Sequence, residues 1–81
     1  MELIDIGFGN RIVAQRIISV VCPASSPIKA LIGQAREQGM LIDATQGRKT
    51  ESVLVTDSGH VVLSYLTPDR IAYQLNKEEQ E

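Results

Sequence analysis

An α+β domain, built on a small and mainly antiparallel β-sheet with two helices in the order β-β-α-β-β-β-α, is the fold this 81-residue sequence predicts. Three observations lead to it. Short runs rich in Val, Ile and Leu are separated by turn residues at close intervals, as strands are. Two stretches, "SSPIKALIGQAREQG" and "TPDRIAYQLN", instead carry helix-start residues ahead of apolar positions at helical spacing. The links between strand runs are short, which favours antiparallel neighbours and puts both helices on one face of the sheet.

Taken in order, "LIDIGF" (3–8) alternates around Asp5 and is expected as the first strand. Gly9 and Asn10 follow with turn chemistry, since both tolerate positive φ. "RIISVVC" (16–22) is rich in β-branched residues and is expected as a largely buried strand, with "IVA" (12–14) either its beginning or a strand of its own. Residues 25–39 carry the clearest helix signals. Ser26 is the expected cap, Pro27 suits the first turn, and Gly39 can close the C-terminus in the left-handed conformation. Ile28, Leu31, Ile32 and Ala35 fall at i, i+3, i+4 and i+7, giving one stripe toward the core. Gly33 weakens this helix by about 1 kcal/mol relative to alanine, and close packing would be a reason to keep it. Strands are then expected over "MLIDAT" (40–45), "SVLVTD" (52–57) and "HVVLSYL" (60–66), with "DSG" (57–59) as a tight turn. The last helix starts at Thr67-Pro68-Asp69, the acid lying near the positive end of the helix dipole, and Ile71, Ala72 and Leu75 form its inner stripe.

Composition bounds what such a domain can do. A hydrophobic share of 43% with 22% charged residues is ordinary for a globular chain and argues against disorder. Cys22 is the sole cysteine and His60 the sole histidine, so neither a disulfide nor a metal cluster is available as a staple. Oligomerisation is the remaining one. The start "MELIDIGFGN" has no basic region ahead of a long apolar stretch, and no run approaches the roughly 20 apolar residues of a bilayer span, so a cytoplasmic location with no membrane partner is expected. The net charge is −2, but the tail "KEEQE" accounts for it. Residues 1–76 form the expected single domain, with seven basic and seven acidic groups, and 77–81 an acidic tail expected to be disordered. Any basic surface must therefore come from segregation of charge.

Most candidate chemistry dissolves on inspection. "GFGNRI" (7–12) has the first two glycines of a dinucleotide loop, but Ile12 stands where the third small residue belongs and no βαβ unit surrounds it. Cys22 has no base tied to it and is expected to be a buried structural thiol. His60 opens a strand and is expected at a surface or edge. Asp5, Asp43 and Asp57 lie on three different elements, and strand-end acids more often cap turns than act as an acid–base pair. No enzyme activity, cofactor or small-molecule substrate is expected.

"ATQGRKTES" (44–52) differs. It holds the one adjacent basic pair, Arg48 and Lys49, on an expected hairpin tip between two apolar runs. Such a pair can serve as a solvated turn that discourages strand-edge pairing. It can also grip phosphate: Gly47 lets the backbone approach, Arg48 forks onto a phosphate or guanine, Lys49 adds a point charge and Thr50 a hydroxyl. Arg16 and Arg11 would join this patch if the first strands bring them near. One pair binds weakly, each neutralised phosphate adding about −0.9 to the log–log salt slope, so the hairpin makes most sense repeated around an oligomer.

The motifs "IGFGN", "SPIK", "GMLIDAT" with "GR" following, and "DSGHVVLS", in this order, resemble the bacterial extracellular-matrix regulatory proteins of the RemA family over about residues 3 to 75. The resemblance implies a DNA-binding transcription activator of biofilm-matrix genes that assembles into a closed ring-shaped homo-oligomer and meets double-stranded DNA with a repeated basic surface. It implies a nucleoid-associated state when DNA is bound. It carries DNA contact onto Arg16, Arg48 and Lys49. The family pattern has a second arginine where Lys49 stands here, so the charge is kept and the bidentate fork lost. The alternative function is a ring-forming protein-interaction or scaffold module without DNA binding, in which the same loop meets an acidic partner.

Overall fold

The computed structural model describes residues 2–79. The chain runs through β1 (Leu3–Gly7), β2 (Asn10–Val13), a single 3-10 turn (Ala14–Arg16), β3 (Ile17–Val21), α1 (Ser26–Glu37), β4 (Leu41–Asp43), β5 (Ser52–Thr56), β6 (Val61–Ser64) and α2 (Pro68–Glu79). The α+β class expected from the sequence is present, and Ile12 and Val13 of "IVA" belong to a strand of their own, with Ala14 opening the 3-10 turn. The first two strands form a separate antiparallel hairpin. The remaining four make a mixed sheet in the order β3-β5-β6-β4, antiparallel except where β4 and β6 run parallel.

Successive residues of a strand point to opposite faces, and β5 and β6 are apolar on both. Val53, Val61 and Leu63 face α1, meeting Ala35 together with Ile28, Leu31 and Ile32 of the stripe read from the sequence. Leu54 and Val62 face the other way, into a larger cluster with Ile4 and Ile6 of β1, Ile71 of α2, and Leu66 from the link before that helix. The two helices therefore cover opposite faces of the sheet, not one face as expected. A sheet apolar on both sides needs a layer on each, and the β1-β2 hairpin with α2 supplies the second.

Local details adjust several expectations. Ser25, not Ser26, caps α1, its hydroxyl accepting from the Ile28 amide at 3.4 Å, which places Ser26 and Pro27 in the first turn. Gly39 does close the helix at φ +72. The Met40 amide donates to Ala35 O at 2.8 Å and the Gly39 amide to Arg36 O at 3.3 Å, the paired bonds of a Schellman stop. A Cβ on Gly33 would meet nothing within 4 Å, so its expected close packing is absent within the protomer. On α2, Thr67 caps through its hydroxyl to the Arg70 amide, Ile71 is fully buried and Leu75 half-buried, but Ala72 is exposed. Gln74 occupies the inner side instead, bonding both the amide and the carbonyl of Asp5 at 2.8 and 2.7 Å and so tying α2 to β1. The helix continues through Glu79, into the stretch expected to be disordered; residues 80 and 81 lie outside the described residues.

β3 lies at a sheet edge and is not largely buried. A bulge doubles Ile17 and Ile18 against Thr56, turning Ile18 outward to 66% exposure. Cys22, one residue beyond this edge strand, is exposed instead of buried. No helix among the described residues is long and apolar enough to cross a membrane.

Candidate nucleic-acid interface

The basic pair lies on the link from β4 to β5, and that link is not a hairpin. β6 is inserted between the two strands, so residues 44–51 form a wider reversal across the end of β6. Both ends of the link are fixed to β6, through the Ala44 amide to Leu63 O at 3.0 Å and the Glu51 amide to Ser64 O at 2.9 Å. Thr45 to Arg48 make a tight turn closed by the Arg48 amide to Thr45 O at 3.0 Å, with positive φ at both central residues, Gln46 and Gly47. That is a type I′ turn, and it is why a glycine precedes Arg48.

Asp43 holds the near side of the loop. Its carboxylate accepts from the Thr45 hydroxyl at 2.6 Å and the Thr45 amide at 3.0 Å. The hydroxyl bond, then the amide bond, with a smaller pull from the Arg36 charge, keep the Asp43 carboxyl below its ordinary pKa against the opposing effect of burial. A pKa lowered in this way adds stability that is fully present above the ordinary aspartate pKa of about 3.9 and is lost as pH falls through the lower folded-state value. Asp43→Asn is expected to be slightly less stable to urea than the unmodified protein at about pH 6, by less than about 1 kcal/mol for so exposed a group, and the gap is expected to narrow as pH falls below the ordinary aspartate range. A gap that persists in acid would show that the charge is not the cause.

Arg48 does not stand free in solvent. Its Cζ lies 5.1 Å from the centroid of the Tyr65 ring, in cation–π range. Tyr65 follows β6 and in turn meets Phe8 with ring centroids 4.9 Å apart at 42°. Phe8 is at the tip of the β1-β2 hairpin, where Gly7, Phe8 and Gly9 all have positive φ, at 109°, 55° and 80°. The "GFG" motif thus makes a strained turn against Tyr65, with no helix after it and none of the geometry of a dinucleotide loop. Lys49 is exposed and Thr50 half-buried.

Arg16 and Arg11 are placed elsewhere on the protomer. The Arg16 carbonyl accepts from the Asp57 amide at 2.9 Å and its Nε donates to Asp57 Oδ1 at 2.7 Å, both side chains well exposed. Asp57 follows the C-terminal end of β5, whereas Arg48 precedes its N-terminal end, so the length of β5, about 13 Å at the usual rise, separates the two anchorages. Arg11 sits opposite Asp5 in the hairpin and lines a shallow groove of about 210 Å³ with Ile42, Thr56, Ser58 and His60. Arg11 and Arg16 both belong to the end of the sheet that carries the 57–60 turn. His60 is part of that turn, its Nδ1 at 2.7 Å from the Ser58 hydroxyl. No group of three or more His, Cys, Asp or Glu side chains suited to a metal occurs among the described residues.

The sequence reading did not include Tyr65 and Phe8. A bulky residue between two glycines was the available signal for Phe8; Tyr65 gave none, since its partner Arg48 lies 17 residues earlier on another element.

A family model described as RemA-like, extracellular matrix regulatory protein A-like, matches residues 3–75 of the chain. The chain is 52% identical over 81 residues to a protein named "Putative regulatory protein" in Acetivibrio thermocellus, spanning all of this chain and 87% of that one. Identically named proteins of Carboxydothermus hydrogenoformans and Alkaliphilus metalliredigens are 55% identical over 82 residues and 53% over 79. They are spanned over 94% and 85% of their lengths, with 100% and 98% of this chain covered.

Proposed function

Because the chain belongs to the RemA-like family of extracellular matrix regulatory proteins, we propose that it is a DNA-binding transcriptional regulator, activating matrix genes through repeated contact of a ring-shaped oligomer with the duplex. The observation that carries this is the loop of residues 44–51. Arg48 and Lys49 are exposed and project from a turn whose backbone is fixed at both ends. Neither enters an ion pair among the described residues, so their charge is available for phosphate. Arg16 differs, since a phosphate there must compete with the Asp57 carboxylate.

Repetition supplies the affinity. A balanced protomer offers few cations, and copies joined in one particle gain effective concentration for the second and later phosphates they meet. The free edges β3 and β4 of the mixed sheet support assembly, each presenting an exposed isoleucine, Ile18 or Ile42.

Fluorescence anisotropy on a long duplex across a salt series tests the proposal, with particle mass measured in each sample. Tight, salt-steep binding is expected, and Arg48→Ala/Lys49→Ala is expected to weaken it strongly. The salt slope should become shallower by about 0.9 for each phosphate that is no longer neutralised, without a change in mass. Arg16→Ala is expected to have the smaller effect. No binding by the unmodified protein at low salt would sink the proposal.

A further inference from the structure

We propose that Tyr65, braced by Phe8, is a shelf that holds the Arg48 guanidinium ready for bidentate contact with a DNA phosphate, an inference that rests on the DNA-binding reading above. Arginine at a binding surface has two common fates in a free protein. It can be engaged by a carboxylate, as Arg16 is by Asp57, which occupies a donor nitrogen. It can move freely, and must then be immobilised when the ligand arrives. Seating on a ring avoids both. The π-face attracts the guanidinium without taking up a hydrogen-bond donor, so its N–H groups stay open to an anion.

Three features show that the shelf is built into the fold. The hairpin turn approaches Tyr65 so closely that a Cβ on Gly7 would lie 2.3 Å from Tyr65 Cε1, so only glycine fits at that position with the ring in place. The next residue, Phe8, keeps a left-handed φ of 55° that large side chains rarely adopt, and so brings its ring against Tyr65 while 43% of it is exposed. On the opposite side, the type I′ turn closed at 3.0 Å fixes the backbone from which Arg48 departs. Residues 7–9 thus brace Tyr65 from one side, and Tyr65 meets the cation that the 45–48 turn holds on the other. Buried bonds lock the base of the shelf, since the Ser64 hydroxyl donates to Ile6 O at 2.8 Å and accepts from the Leu66 amide at 3.1 Å on either side of Tyr65. Tyr65 and Phe8 are positioning residues here, acting through Arg48.

Proton NMR of the free protein and DNA anisotropy together decide the matter. In the unmodified protein the Arg48 Hδ resonances are expected upfield of ordinary arginine values from the Tyr65 ring current, and Tyr65→Leu is expected to return them. Ordinary shifts in the unmodified protein overturn the shelf, whatever the DNA result. On DNA, Tyr65→Leu is expected to bind about 2- to 5-fold more weakly per engaged protomer with the salt slope retained, because the charge is still present. Tyr65→Phe, which keeps the ring, is expected to bind like the unmodified protein. Should Tyr65→Leu fail to fold, Phe8→Leu removes the brace from an exposed position and is expected to weaken binding in the same sense. Unchanged affinity in the folded Leu variants overturns the proposal. If the unmodified protein binds no DNA, the parent reading fails with it, and a persisting ring-current shift identifies that case.

Discussion

Leu54→Ala is expected to cost about 2–5 kcal/mol of stability, the range for deleting a fully buried leucine side chain and leaving a cavity. Leu54 has no exposed surface and stands on β5, flanked by β3 and β6, within the cluster of Ile4, Ile6, Val62, Leu66 and Ile71. It is where the hairpin and α2 both press on the sheet, so no single neighbour can move in to fill the space. A domain of this length has roughly 4–12 kcal/mol in all at the usual stability per residue, so the loss is a large share of the total. Urea unfolding followed by circular dichroism should show a much lower midpoint at an unchanged slope. Ile18→Ala provides the contrast. That side chain is 66% exposed, and its truncation is expected to shift protomer stability by no more than about 0.5 kcal/mol. A loss below about 1 kcal/mol for Leu54→Ala would mean the second layer does not pack as described.

Gly7→Ala is expected to act on stability and on the basic loop together. The added methyl meets the Tyr65 ring at 2.3 Å, and the residue must hold φ at 109°, a region closed to side chains. The backbone alone is expected to cost about 1–3 kcal/mol. The clash has one outlet, because the ring lies at the end of a rotatable side chain and can swing away. It then leaves Arg48 without its seat and Phe8 without its neighbour. Gly9→Ala separates the two causes: φ there is 80°, but a Cβ would meet nothing within 4 Å. It is expected to lose stability without disturbing the tyrosine. Thermal melts of both variants, read beside the Arg48 resonances, check this, and equal effects on the resonances would count against the clash with Tyr65.

Elements with local causes were legible in the sequence. Pro27, Gly39 and the stripe from Ile28 to Ala35 specify α1 within its own residues, and Thr67-Pro68-Asp69 does the same for α2. What failed depended on partners distant in the chain. "LIDAT" and "SVLV" read as hairpin partners because they are neighbours in sequence, yet β6 lies between them. All four residues of β6 are buried, a pattern only an interior strand can satisfy, and one that excludes an edge position. The same cause put the helices on opposite faces, since Val53 and Leu54 each need cover. At the basic loop, the residue types and their exposure were legible. The tyrosine under Arg48 and the carboxylate on Arg16, 41 residues away, were not.

The strand that parts β4 from β5 also sets a sequence of events during folding. β6 is the last strand to leave the ribosome, yet it fills the gap between two made earlier. Until it arrives, β4 has no partner for its backbone, and the carbonyls of Leu63 and Ser64 that pin both ends of the basic loop are missing. Tyr65 arrives only after it. The pairing of β6 with β5 is between neighbours in the chain, whereas its pairing with β4 must close over the whole of the basic loop and β5. The cationic loop therefore cannot take its final form before β6 is made and paired, and a nascent chain that lacks β6 carries the charges of Arg48 and Lys49 without the surface that presents them.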